Sequence, residues 1–489
     1  MTRARGADCL TCLKRGVKIE VDAADCPGFG VNRINMRISV AILIFFGLAA
    51  QIEAQMGAGG AGGGMGGFGG PAVMGRGTGS GTGQRGGSDM GLGFFAGVQG
   101  SYDNGLTGLS LNSSGQLTNG ASLGVDGYAG VFGSKRIRRG SFGINYVGHY
   151  RHYTRISNFN GADQNLSIFT NRQLTKRSTL SFNATGGTTN RPFGMQMFGM
   201  NMDPAGGGLF APNAELFDNR IYYGSGGLEY VLQKSARLSY GMSGSGFFTR
   251  RTGSILFGVT GTSASGNVAY RISRRQTISV GYQFIFFNFT RNFGDTYGNG
   301  AQVGYSIQMG KRTQFAFQGG AMRLESLGLR SSQLDPVIAA LIGVSTVQEV
   351  FYNTFYLPTG NASLTFQPNR LHSFSVSAGM MASPGNGVIN TSRMTSAGAM
   401  YNYTGIRNLG INVSSFYNRM SSLVGDNQSF ESMQTTLGLS RRINSQLFAS
   451  FNLGNRRFLQ SSTNTFQRNS NFAALGITWS PKEIPISIR

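Results

Sequence analysis

Residues 268–284 read VAYRISRRQTISVGYQF. Val268, Tyr270 and Ile272 alternate with Asn267, Ala269 and Arg271, up to a polar joint, Ser273-Arg274-Arg275-Gln276. Beyond the joint Ile278, Val280, Tyr282 and Phe284 alternate with Thr277, Ser279, Gly281 and Gln283. Successive side chains of a strand point to opposite faces. A period of two on both flanks of a short joint therefore predicts an antiparallel hairpin with one bulky apolar face.

The same pattern recurs from Gly91 onward. The joints are Ser134–Arg139, Leu174–Arg177, Gln233–Ser235, Ser273–Arg275, Gly310–Arg312, Gln367–Arg370, Thr404–Asn408 and Arg441–Asn444. Eight joints make eight hairpins, with one strand before them (Leu92–Tyr102) and one after (Asn471–Ser480), so eighteen strands are predicted. Short joints then fall at one end and longer connections at the other, the largest of them at 187–219 and 324–350. An even strand number with short turns at one end and long loops at the other is the layout of a transmembrane barrel.

Composition agrees. The chain of 489 residues has 76 Gly and 11 Pro, only 13% charged residues, and aromatics dominated by 36 Phe and 18 Tyr. That much glycine weakens helix interiors by about 1 kcal/mol per position, and disordered chains are poor in aromatics. Along the strands Phe142, Ile144, Tyr146 and Tyr150 alternate with Ser141, Asn145, His149 and Arg151; Leu475, Ile477 and Trp479 alternate with Ala474, Gly476 and Thr478. The small polar face carries too few charges for the outside of a soluble protein. It suits a watery lumen, with the bulky face in lipid. An open sheet edge in hydrocarbon would leave backbone groups unpaired at several kcal/mol each, so the sheet must close. The predicted fold is all-β: a transmembrane antiparallel up-and-down β-barrel of about 18 strands.

Residues 36–54 begin MRISVAILIFFGLAA, with a basic start, an apolar run from Ile38 to Ala50 and Ala54 before a cut. This predicts an export signal, too short for a transmembrane helix. Residues 1–35 then read as an upstream extension, and they hold all three cysteines, Cys9, Cys12 and Cys26. Cys9 and Cys12 form a CxxC with no second pair, so no metal or other cofactor is called for. Residues 55–90 read as a Gly-rich flexible linker, 91–480 as the barrel and 481–489 as a short tail. The formal charge is +23, from 43 Lys+Arg against 20 Asp+Glu. Because the bases come as pairs in joints and not as a basic helix or run, nucleic acid is not an expected partner.

With its signal, repeated hairpins and alternating loops, the chain from Gly91 to Ser480 resembles a Gram-negative outer-membrane β-barrel. The likeness is one of architecture and extends to barrels of the exopolysaccharide and alginate-export type. It implies the outer membrane as location, with the lipid bilayer, lipopolysaccharide and the insertion machinery as partners, and a periplasmic polysaccharide-export protein for the export reading. Such barrels commonly end on an aromatic residue, whereas here Trp479 is followed by Pro-Lys-Glu-Ile-Pro-Ile-Ser-Ile-Arg.

Alternation places Asn145, His149, Arg151, Arg155, Arg237, Ser239, Arg271, Gln283, Gln314, Gln318, Asn412, Asn452 and Arg456 on the lumen side, with Asp126 and Glu229 as acidic members. His149, Arg151, Arg155, Arg237, Arg271 and Arg456 are the candidate anion path, because a basic pore concentrates anions and guanidinium binds carboxylate or phosphate bidentately. Arginines in the turns, such as Arg274 and Arg275, read instead as anchors to lipid phosphates. The segment QLDPVIAALIGVSTVQEV from Gln333 has an Asp335-Pro336 start suited to a helix N-terminus. It is the candidate constriction or lid, with Asp335, Pro336 and Glu349 as its marked residues.

A porin-like channel for small hydrophilic, preferentially anionic solutes is the leading functional expectation. Export of an anionic exopolysaccharide and a surface-adhesion or structural role are the alternatives. No catalytic set is expected, since His149 and His152 differ in parity and face opposite sides.

Overall fold

The computed structural model describes residues 90–111, 117–154, 160–190, 220–253, 256–291, 293–333, 346–423, 429–461, 466–481 and 484–486. Every regular element among them is a strand. In chain order these are β1 (Met90–Leu111), β2 (Leu117–Ile137), β3 (Gly140–Tyr153), β4 (Gly161–Thr175), β5 (Ser178–Thr189), β6 (Ile221–Gln233), β7 (Leu238–Arg251), β8 (Gly258–Arg271) and β9 (Gln276–Thr290). There follow β10 (Gly294–Met309), β11 (Thr313–Gln333), β12 (Thr346–Phe366), β13 (His372–Ser383), β14 (Ser392–Ile406), β15 (Leu409–Ser422), β16 (Ser429–Arg442), β17 (Leu447–Ser461), β18 (Phe466–Trp479) and the short β19 (Ile484–Ile486).

Each strand from β1 to β18 pairs antiparallel with its sequence neighbours, and β1 pairs with β18, which closes the sheet. All eight predicted joints are turns. In the β8–β9 hairpin, Val268 lies opposite Val280 and Tyr270 opposite Ile278. Val268, Tyr270, Ile278, Val280 (57% exposed) and Tyr282 point outward, while Ala269 and Ser279 are buried on the inner side. The same outward band continues through Val98, Leu123, Tyr150, Leu228, Met242, Val303 and Leu475 around the barrel. Closure pairs the strand edges, and the band meets acyl chains. No helix among the described residues is long and apolar enough to cross a membrane; the crossing is made by strands.

Turn chemistry fits locally. Asn408 sits at φ 61 in the tight Arg407–Asn408 turn, a left-handed conformation that Asn tolerates because its short side chain bonds locally. The Asn444 side chain accepts from the Gln446 and Leu447 N–H groups, closing the β16–β17 turn.

Three expectations are corrected. Residues 481–489 are not simply a tail: Ile484–Ile486 pairs with Met90–Leu92 of β1, and so lengthens the closing seam beyond the Ala96–Trp479 pair. The predicted loop at 324–350 is mostly strand, because β11 and β12 stay in register from Thr313–Phe366 up to Gln333–Thr346. Glu349 therefore belongs to β12, in register with Arg330, and not to a helix. A 21-residue hairpin ladder outweighs the weak helical pattern of that segment. Asp335 and Pro336 lie outside the described residues, as do the predicted extension, signal and nearly all of the linker.

Candidate functional site

The interior of the barrel divides into an ionic side and an apolar side. On the ionic side β2, β3 and β4 align their inward residues, with Asp126 in register with Arg151 and Tyr128 with His149. The Arg151 Nε donates to Asp126 Oδ2 at 3.3 Å, and its Nη1 lies 2.9 Å from Asp163 Oδ2. His149 Nδ1 lies 3.4 Å from Asp126 Oδ2. Asp163 also accepts from the Asn190 N–H, which ties the end of β5 into the group. Beside the closing seam, Arg456 of β17 is 3.8 Å from Asp103 of β1 and stacks 4.2 Å over the Phe472 ring. Ser470 donates to the other Asp103 oxygen at 2.9 Å. Arg456 is 2% exposed. Buried charges are costly unless paired: Arg151 meets both of its aspartates, and Arg456 is held by the Asp103 ion pair and the Phe472 ring.

On the apolar side Phe247, Phe257, Val259, Ile285, Phe287, Phe289, Met322, Leu324, Leu357 and Ala382 form one buried cluster. Phe287 and Leu324 are fully buried. The cluster lies in the half of the barrel near the long connections. It departs from the small polar inner face seen elsewhere, such as the Ser243–Ser265 and Ser245–Ser263 hydroxyl pairs at 2.6 Å.

An inward strap crosses the interior and is tied to this wall at Phe257. The connection from β13 to β14, Pro384–Thr391, folds inside the barrel. Asn386 accepts from the Val388 and Ile389 N–H groups and turns the chain. Gly385 sits at φ +81, where an added Cβ would run into the Ile389 carbonyl oxygen, so only glycine fits. Gly387, at φ +90, packs on the Arg251 side chain of β7. Its carbonyl accepts from the Phe257 N–H at 3.2 Å, and Arg251 Nη1 donates to the Phe257 carbonyl at 2.7 Å. At the far end Thr391 bonds Thr296 of β10 and approaches Ser326 of β11 at 3.4 Å. The strap thus leaves the wall at β13 and is held by β7, β10 and β11.

His149, Arg151 and Arg456 lie on the inner wall as the alternation predicts, and each adjoins an aspartate. Arg271 ends β8 on the inner side, beside the turn. Arg237 is not mid-strand. It lies exposed in the turn before β7, where its N–H and that of Leu238 donate to the Ser235 hydroxyl. Arg155 lies outside the described residues. Asp103, Asp163, Arg251 and the strap were not singled out from sequence. One signal was present: Phe284-Ile285-Phe286-Phe287-Asn288-Phe289 is apolar on both faces, which a strand needs only where both faces are covered.

No family model matches the sequence, and no curated protein matches it. Solved structures that resemble it include the copper transporter OprC, at TM-score 0.39 and 10% identity over 81% of each chain. OccAB1 of Acinetobacter baumannii aligns at TM-score 0.38 and 10% identity over 80% of this chain and 96% of that one. OpdL of Pseudomonas aeruginosa aligns at 0.36 and 10% identity over 81% and 99%. At these scores the likeness carries no weight of its own. The closed ladder and the outward apolar band define the class: this is an outer-membrane β-barrel. Within that class it is an eighteen-strand barrel with an inward strap.

Proposed function

We propose that the protein is an outer-membrane channel for small hydrophilic solutes whose lumen is narrowed by the strap Pro384–Thr391. An eighteen-strand barrel is wide enough to leave a path unless loops occupy it. The observation that carries this reading is the anchoring of Gly387 and Thr391 on strands remote from β13. A loop fixed at both ends inside a barrel reduces its bore.

Preference for anions is the finer part of the proposal. The inner arginines Arg151 and Arg456 are offset by Asp126, Asp163 and Asp103. Local anion enrichment then rests mainly on the other inner arginines, Arg251 and Arg271, so the preference is modest and sensitive to salt. A polymer-export role requires the strap to swing aside, and no observation favours it over the channel.

Single-channel recording in planar bilayers tests this. Discrete ionic steps are expected, larger in a variant whose residues 384–391 are replaced by Gly-Gly. Reversal potential in a salt gradient should shift slightly toward anions. Electrical silence in both proteins overturns the channel reading.

A further inference from the structure

Among strands β1–β18 the shortest ladder joins β12 to β13, followed by the β1–β18 closure, which β19 extends. β12 and β13 pair only over Gly360–Phe366 against Met380–Phe374. Beyond Gly360, β12 runs on from Leu357 back to Thr346 with β11 as its strand partner. β13 likewise continues from Met381 to Ser383 paired with β14. Among the described residues, no strand lies between these two edges. Pro358, two residues beyond the last pair, has no N–H to give a ladder, and prolines in sheets are confined to such edges.

The seam lies at membrane depth. Seven paired residues at about 3.4 Å each, tilted by about 40°, rise roughly 18 Å, short of the roughly 25 Å apolar band of such barrels. Unpaired edges in hydrocarbon are costly, so the missing ladder there calls for an explanation.

The apolar cluster meets the outside at this seam. Leu357, Met322 and Leu324 stand on the inner face of β11 and β12, and Phe355 packs against them. Ala382 belongs to the same cluster and is 3% exposed, although alternation puts it on the outward side of β13, in register with Arg393. The cluster therefore joins the inner wall to the outer face through the gap. Arg393 supplies a cation on that outward side.

We propose that the β12–β13 seam is a lateral portal for the alkyl chain of a single-chain anionic amphiphile, its chain entering toward the apolar cluster and its headgroup facing Arg393. The strap Pro384–Thr391, which leaves β13 at the seam, closes the portal from within. This deepens the channel reading by adding a second route and a second substrate class, and it rests on the interior being a transport path.

The test is photolabelling in liposomes with diazirine-bearing stearic acid and, separately, diazirine-bearing lysophosphatidylglycerol, with ionic conductance recorded in parallel. Label enriched on 350–359 and 380–394 is expected. Whether the enrichment follows the carboxylate probe, the phosphate probe or both identifies the headgroup. Oxidised T359C/M381C should lose the enrichment and regain it on reduction, with conductance unchanged. A382W, which fills the seam without a disulfide, should lose it also. Label spread evenly over the outward faces of the strands, or equal enrichment in wild type and A382W, overturns the portal. Loss of conductance with the enrichment intact would count against the channel instead.

Discussion

The two sides of the interior hold the same barrel together by opposite means. Around β1–β4 and β17 the inner wall is knitted by Asp103–Arg456 and by Asp126–Arg151–Asp163. Around β7–β13 it is greasy, and a strap is tied to it at Phe257. The ionic side pairs its charges across the wall, Arg151 with aspartates on both neighbouring strands and Arg456 with Asp103 on the far side of β18. The apolar side would face water in an open pore, at about 25 cal/mol for each Å² exposed. The strap is tied to that wall at Phe257, and so the apolar patch and the constriction adjoin.

The largest effect expected from breaking this contrast is on the ionic side. Arg151→Met leaves Asp126 and Asp163 buried without their shared cation, and should cost about 3–5 kcal/mol. Urea unfolding in detergent micelles measures it. Replacing Asp126 and Asp163 by Asn in the same protein should recover much of the loss, since the orphaned charges go with them.

Next comes the apolar side. Leu324→Ala removes a fully buried side chain of the apolar cluster and should cost about 2–5 kcal/mol by the same assay. Unlike the Arg151 change, it should also raise conductance, because Ser326, two residues along β11, helps hold Thr391 of the strap.

Gly387→Val tests the strap more locally. The position is left-handed and packed on Arg251, so a branched side chain is strained there. Stability should fall by about 1–3 kcal/mol, with larger and noisier current steps. The smallest effect belongs to the turns. Arg274→Gln with Arg275→Gln should change stability by no more than about 0.5 kcal/mol and leave the reversal potential unchanged, since these residues face lipid phosphates and not the lumen.

How much of this the sequence disclosed depends on the range of the interactions involved. Every turn was legible, because hairpins are set by neighbours in the chain. His149, Arg151 and Arg456 were placed on the inner wall by parity alone. Arg237 was misplaced because the Gln233–Ser235 joint runs two residues further, held by the Ser235 hydroxyl. Glu349 was misread because a helical pattern over a short stretch says nothing of its β11 partner Arg330, far outside that stretch. The strap was missed for a related reason. Pro384-Gly385-Asn386-Gly387 announces a turn, but its inward course depends on Arg251, Thr296 and Ser326, distant in sequence. The aspartates beside the arginines were equally hidden, since strand register and not spacing brings them together.

The central claim is that the strap, fixed across the interior, sets the bore. All three cysteines precede residue 27, so a disulfide placed in the barrel has no competitor there. Thr296→Cys with Thr391→Cys joins strap to wall where their hydroxyls already bond. Conductance of single channels under oxidant should be low and steady, and should rise and fluctuate once reductant frees the strap. Identical current traces in the two redox states, with the disulfide verified by mass, would contradict the account.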